Sequence, residues 1–224
     1  MRWTLKAADE SLLSRLVSDA SLDPLVARLL VVRGVRAADE AARFLHPALE
    51  HLHSLGHRKI AIIRGPKALT DSSPRWRGIR NFAKESGFEL DSRLVVDMPE
   101  SSDPISSFES GYKLTEDLLR QKRSFTAMLA FDDMSAFGAI RALSRAGIRV
   151  PDQCSVIGFD DVATSAIYTP SLTTVRQPME TMGASAVGVV LDGINAVLEK
   201  REPTPTHRKV APELVVREST RKLP

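Results

Sequence analysis

Three charged residues stand where the chain could do chemistry. Arg75 lies in the first turn of a helix that opens at Ser73-Pro74. Asp132 directly follows the apolar run Ala127–Phe131, and Asp160 directly follows Cys154–Phe159. An ionised carboxylate only accepts hydrogen bonds, whereas a guanidinium donates several in a rigid planar fork. One arginine facing two carboxylates suits a small molecule rich in hydroxyl or amide groups. The same positions admit plainer roles. Asp after a strand is a common helix N-cap, and arginine is common at surfaces. Position alone leaves both readings standing.

Other chemistries find less support. The sequence has neither GxGxxG nor GxxxxGK[ST], so nucleotide phosphates have no evident cradle. The pairs Asp132-Asp133 and Asp160-Asp161 could ligate Mg²⁺, but neighbouring side chains diverge. His53 and His57 have helical spacing without a third ligand, so zinc is not expected and both read as surface histidines. No GxSxG elbow occurs. Cys154 is the one cysteine; it lies in an apolar run and is expected to be buried and inert. Catalysis, cofactor and metal are therefore not expected.

The elements that must position these residues begin after residue 50. Short apolar runs alternate there with amphipathic stretches. Strands are expected at Lys59–Arg64, Arg93–Met98, Ala127–Phe131, Cys154–Phe159, Leu172–Val175 and Glu213–Arg217. Helices are expected from Ser73, Asp103, Asp132 and Pro178; the last should turn Met179, Met182, Ala186, Val189, Val190 and Val197 inward. Apolar strands separated by helices argue for an α/β parallel sheet covered on both faces. In such sheets ligands bind beyond the carboxyl ends of the strands, where Arg75, Asp132 and Asp160 fall.

Residues 1–50 differ. They read as about three helices and carry seven basic and seven acidic residues, without the basic bias of a DNA-binding head. The 224-residue chain is 43% hydrophobic with a net charge of +3. It has no uninterrupted apolar run of about 18 residues, so no membrane partner is expected. Acidic residues stand where a signal peptide would be apolar, which points to the cytoplasm.

The stretches HLHSLGHRKIAIIRGP, PRWRGIRNFAKESG, FTAMLAFDDMSAFGAIRALSRAGIRVPDQCSVIGFDD, PSLTTVRQPMETMGASAVGVVLDGI and KVAPELVVREST resemble, in order, the second half of the effector-binding core of LacI/GalR-type transcription regulators. The resemblance implies a periplasmic-binding-protein-like fold over residues 51–220, with one lobe complete and the other partial. It implies a small-molecule effector, a sugar or nucleobase-like compound, bound by Arg75 of RWRG, Asp132 of the DD after the third strand and Asp160 of GFDD. It also implies a homodimer, and DNA as a partner of the parent family through a head not seen here. Residues 1–50 are similar instead to the N-terminal leader of RecJ-type single-strand DNA exonucleases, through MRWTL and DPLVARLLVVRGVRAADEAARFLHPALEHLH. The metal motifs of that chemistry are lacking. A join between two unrelated proteins is expected around Glu50–Leu55.

The expected function is effector sensing without catalysis. The alternative is DNA binding through residues 1–50, or a RecJ-related fragment without nuclease activity. Apolar surface left by a partial lobe is expected to be covered by Leu12, Leu16, Leu29, Leu30, Phe44 and Leu45, or by a second chain.

Overall fold

The structure is a computed structural model that describes residues 47–69, 72–100, 104–202 and 212–223. The chain divides into two compact units. One is Leu45–Gln177 with Glu213–Pro224, and the other groups Met1–Phe44 with Pro178–Pro212. The readings placed on residues 1–46, including the leader resemblance, lie outside the described residues.

The larger unit opens with helix α1 (Pro47–Ser54) and strand β1 (Ile60–Arg64). Helix α2 (Ser72–Glu85), strand β2 (Val95–Asp97) and helix α3 (Pro104–Arg120) follow. Next come β3 (Ala127–Leu129), α4 (Asp133–Arg145), β4 (Ser155–Asp160), the short α5 (Thr164–Ile167) and β5 (Thr173–Arg176). Strand β6 (Glu213–Val215) completes it. The sheet order is β2-β1-β3-β4-β5-β6, with the first five parallel and β6 antiparallel to β5.

Both sheet faces are covered, which explains the unbroken apolar runs. Ala61 and Ile63 of β1 and Met128 of β3 face a core shared with Leu118, Phe137, Ile140 and Leu143. Ile60 and Ile62 face the other core, with Leu49, Leu52, Ile79 and Phe88. Helices α3 and α4 cross at glycines. A Cβ on Gly138 would lie 2.1 Å from the Phe108 carbonyl oxygen, and one on Gly111 would lie 2.1 Å from that of Ser135.

Several expected boundaries shift. Arg93 and Leu94 belong to a 3₁₀ turn, Ser92–Leu94, because the Asp91 side chain caps it through the Arg93 N–H at 2.9 Å. Strand β3 stops at Leu129, two residues short of Phe131. His57 is not a surface residue. It is 1% exposed, with Nδ1 3.0 Å from Thr126 Oγ1 and Nε2 3.1 Å from the Arg221 carbonyl oxygen. That carbonyl can only accept, so Nε2 carries the proton and Nδ1 accepts from the threonine.

The smaller unit's described part is one long helix, α6 (Met179–Leu198). Its expected inward face is corrected. Met179 is 64% exposed, Met182 42%, Val190 60% and Val197 58%, and Ala196 alone on α6 is buried. Nothing among the described residues covers that face. Although no unbroken apolar run exists, α6 is long and apolar enough, by length and composition, to cross a membrane.

Burial lowers the His57 pKa from its ordinary value of 6.5. Its contribution to stability is therefore complete above pH 6.5 and is lost as pH falls toward the lowered folded value. Urea unfolding at pH 7.5 and pH 5 should show a drop in stability that His57→Gln diminishes. Gly138→Ala should lower stability by about 1–3 kcal/mol, because α3 and α4 must separate to admit the methyl group; thermal unfolding measures it.

Candidate functional site

Chain geometry brings the three candidate residues to the carboxyl ends of β1, β3 and β4. Arg75 sits one turn into α2. Its guanidinium carbon lies 4.4 Å from the Phe131 ring centroid and 3.8 Å from that of Phe159. Its NH2 group donates to the Phe131 carbonyl oxygen at 2.6 Å. Stacking against aromatic faces and a charge-assisted hydrogen bond fix the fork in place. Gly65, just after β1, makes this possible, because a Cβ there would stand 2.2 Å from the Phe131 ring.

A small recess opens beside Arg75, lined by Arg64, Gly65, Ser72, Trp76 and Phe131 among others. The Ser72 hydroxyl is buried on its wall and has no hydrogen-bond partner among the described residues. Arg64 stacks on Trp76 at 4.7 Å and pairs with Asp97 at 2.5 Å, which closes one side.

Asp132 is the N-cap of α4. Its Oδ1 accepts the Ser135 N–H at 2.7 Å, and the Ser135 hydroxyl contacts the Asp132 backbone N–H in return. Its Oδ2 accepts the Ser107 hydroxyl at 2.6 Å. The capping role is thus real, and it aims a carboxylate rather than consuming it. A carboxylate offers about four acceptor sites, and the described residues use two.

Asp160 does not cap a helix. Its φ is 107°, and that of Asp161 is 55°. Such backbone is costly away from glycine and collects at binding sites, where surrounding structure enforces it. The enforcing contacts lie next door. Arg217 and Arg176 each donate to Asp161 at 2.6 Å, and these bonds outweigh burial to hold the Asp161 carboxyl below its usual range. Asp160 itself accepts only Gln177 Nε2, at 2.7 Å, among the described residues. Burial pushes its carboxyl up to about 6; Gln177 and the Arg75 guanidinium oppose this, and Asp133 and Asp132 add to it. Arg75, Asp132 and Asp160 therefore share one electrostatic neighbourhood.

The second member of each Asp pair has another task. Asp133 is 1% exposed and accepts Val162 N–H at 2.9 Å, Ser165 Oγ at 2.6 Å and Thr174 Oγ1 at 2.5 Å. Burial pushes its pKa up. The paired carboxylates diverge, and no group of three metal-ligating side chains occurs among the described residues. Sequence reading missed Phe131, Phe159, Gln177, Ser107 and Ser72. Aromatic residues at the ends of two neighbouring strands were the available signal for the first two. Cys154 is buried, with its thiol pushed up to about 12.

The order of these pieces is matched by known proteins. The periplasmic binding protein-like domain family matches residues 49–220. The chain belongs to that family. An HTH-type transcriptional repressor, PurR of Haemophilus influenzae, is 33% identical over 178 residues, covering 79% of this chain and 50% of that protein. A sugar-binding LacI-family regulator from Escherichia coli, solved with phosphate, superposes with a TM-score of 0.68 at 27% identity, covering 83% of this chain and 62% of the other. The regulator CelR in complex with cellobiose gives 0.67 at 31% identity, covering 81% and 52%. The chain spans about half the length of the curated relatives it matches.

Carboxyl-carbon NMR should place the Asp160 midpoint near pH 6. Gln177→Ala removes a hydrogen bond to the ionised form and should raise that midpoint further.

Proposed function

We propose that residues 51–220 bind a small polar effector as part of a LacI-type transcription regulator, without catalysis. The observation that carries this reading is the fixed Arg75 fork, clamped between Phe131 and Phe159, beside Asp160, a buried carboxylate on strained backbone. A fixed donor fork with two acceptors matches the vicinal hydroxyls of a sugar or the edge of a nucleobase. The neighbouring aromatic rings give either ligand an apolar face. Arg75, Asp132 and Asp160 are the contact residues of this proposal, and Ser72 supplies a further hydroxyl. Relatives named as a sugar-binding LacI-family regulator and as a regulator in complex with cellobiose support the sugar reading.

The division into residues 1–50 and 51–220, a cytoplasmic location and homodimer formation belong to the same proposal. Solved relatives include a dimeric Lac repressor, which supports the last.

A thermal-shift screen of sugars and purine bases tests the reading. At least one compound should raise the melting temperature, and Arg75→Ala should abolish the shift. Loss of an Arg-mediated charged hydrogen bond weakens binding by roughly tenfold or more. A folded protein that responds to none of them would refute the proposal. Ligand hydroxyls donating to Asp160 should also bind more tightly as pH rises through about 6, and Asp160→Asn should flatten that profile.

A further inference from the structure

The Ser72 hydroxyl is a liability in the unliganded fold. Ser72 is the first residue of α2 and is 9% exposed, and its oxygen has no hydrogen-bond partner among the described residues. A buried hydroxyl left unpaired lowers stability, because water satisfies it in the unfolded chain. Alanine would suit the helix turn better and carry no such burden. An unpaired buried group in a folded protein points to a partner that comes from outside the chain.

The recess that Ser72 lines indicates what that partner is. Its cavity volume is about 30 Å³, room for about two water-sized groups. Ile62, Ile79, Leu129 and Ala130 make its walls largely apolar. Such walls are poor hosts for two ordered waters, each of which needs two or more polar partners. A group of two heavy atoms suits the space when one is carbon and the other a hydroxyl oxygen. The carbon then lies on the aliphatic wall, and the oxygen exchanges a hydrogen bond with Ser72. That group is a hydroxymethyl.

The recess adjoins the candidate contacts. Arg75 and Phe131 line it, and the Arg75 guanidinium also stacks on Phe159, one residue before Asp160. A pyranose ring held by the Arg75 fork can therefore send a substituent into the recess. We propose that the effector is a hexopyranose, free or in a glycoside, whose exocyclic hydroxymethyl enters this recess and bonds to Ser72. The inference rests on the effector-binding reading above and narrows it. A purine base is planar and has no such arm, and a pentopyranose has the ring without the arm. Ser72 thereby becomes a specificity-determining residue, and its unpaired state is the cost of selecting the longer sugar.

Calorimetric titration of the full chain tests this with sugar pairs that differ in the hydroxymethyl: D-glucose and D-xylose, D-galactose and L-arabinose, cellobiose and xylobiose. Adenine and hypoxanthine are run beside them. At least one hexose should bind about tenfold or more tightly than its pentose partner. Ser72→Ala should weaken that hexose by about tenfold and leave the pentose as it was. The same substitution should raise the melting temperature of the unliganded protein by about 2 °C, because an unpaired hydroxyl is removed. Equal binding of a hexose and its pentose, or binding of the purine bases alone, would overturn the inference and leave the effector reading standing. Hexose binding that Arg75→Ala abolishes and Ser72→Ala spares would do the same. A fall in the melting temperature of unliganded Ser72→Ala would also overturn it, since the hydroxyl would then have a resident partner. A folded protein that binds none of the compounds overturns both readings.

Discussion

Asp133 enters the interior at the first turn of α4, and its carboxylate ends between β4 and β5. Each oxygen is bonded: one to the Thr174 hydroxyl, the other to the Val162 N–H and the Ser165 hydroxyl. A buried carboxylate is tolerated only when its acceptors are filled, so these partners cannot drift. Gly158 of β4 completes the fit, because a Cβ there would lie 2.2 Å from Asp133 Oδ1. Three elements are thereby fixed against one another: the start of α4, the loop after β4, and β5. Asp132 precedes the anchor, Asp160 precedes the anchored loop, and Gln177 follows the anchored strand. The positions of both candidate acceptors descend from this one group.

Arg75 is held by a different principle. Two aromatic rings and a backbone carbonyl hold it. The fork keeps its charge near the acceptors. Desolvated Asp160 and stacked Arg75 share one field, and the arginine draws the carboxyl's pKa back down. A site built this way is arranged before a ligand arrives, so little ordering remains to oppose binding.

Much of this was legible in the sequence, and the reasons are physical. Strand and helix alternation survives because a doubly covered parallel sheet imposes long apolar runs, such as Ile60–Ile63. Asp132 was open between cap and ligand, and the structure shows that the cap orients a carboxylate with acceptor sites to spare. Asp160 as a cap failed because its backbone turns to positive φ, which no spacing rule reports. His57 was misread because its partners, Thr126 and the Arg221 carbonyl, are distant in sequence. The inward face assigned to α6 failed for the opposite reason. Periodicity shows that a helix has an apolar side, and it does not show what lies against it.

The bonds of His51 and His57 to Thr220 and Arg221, and of the Leu223 N–H to the Leu55 carbonyl, join the first and last turns of the α/β unit. Their partners lie more than 160 residues apart. The buried imidazole of His57 therefore finds its carbonyl acceptor only when the two ends of this unit meet, a closure over the whole length of the sheet.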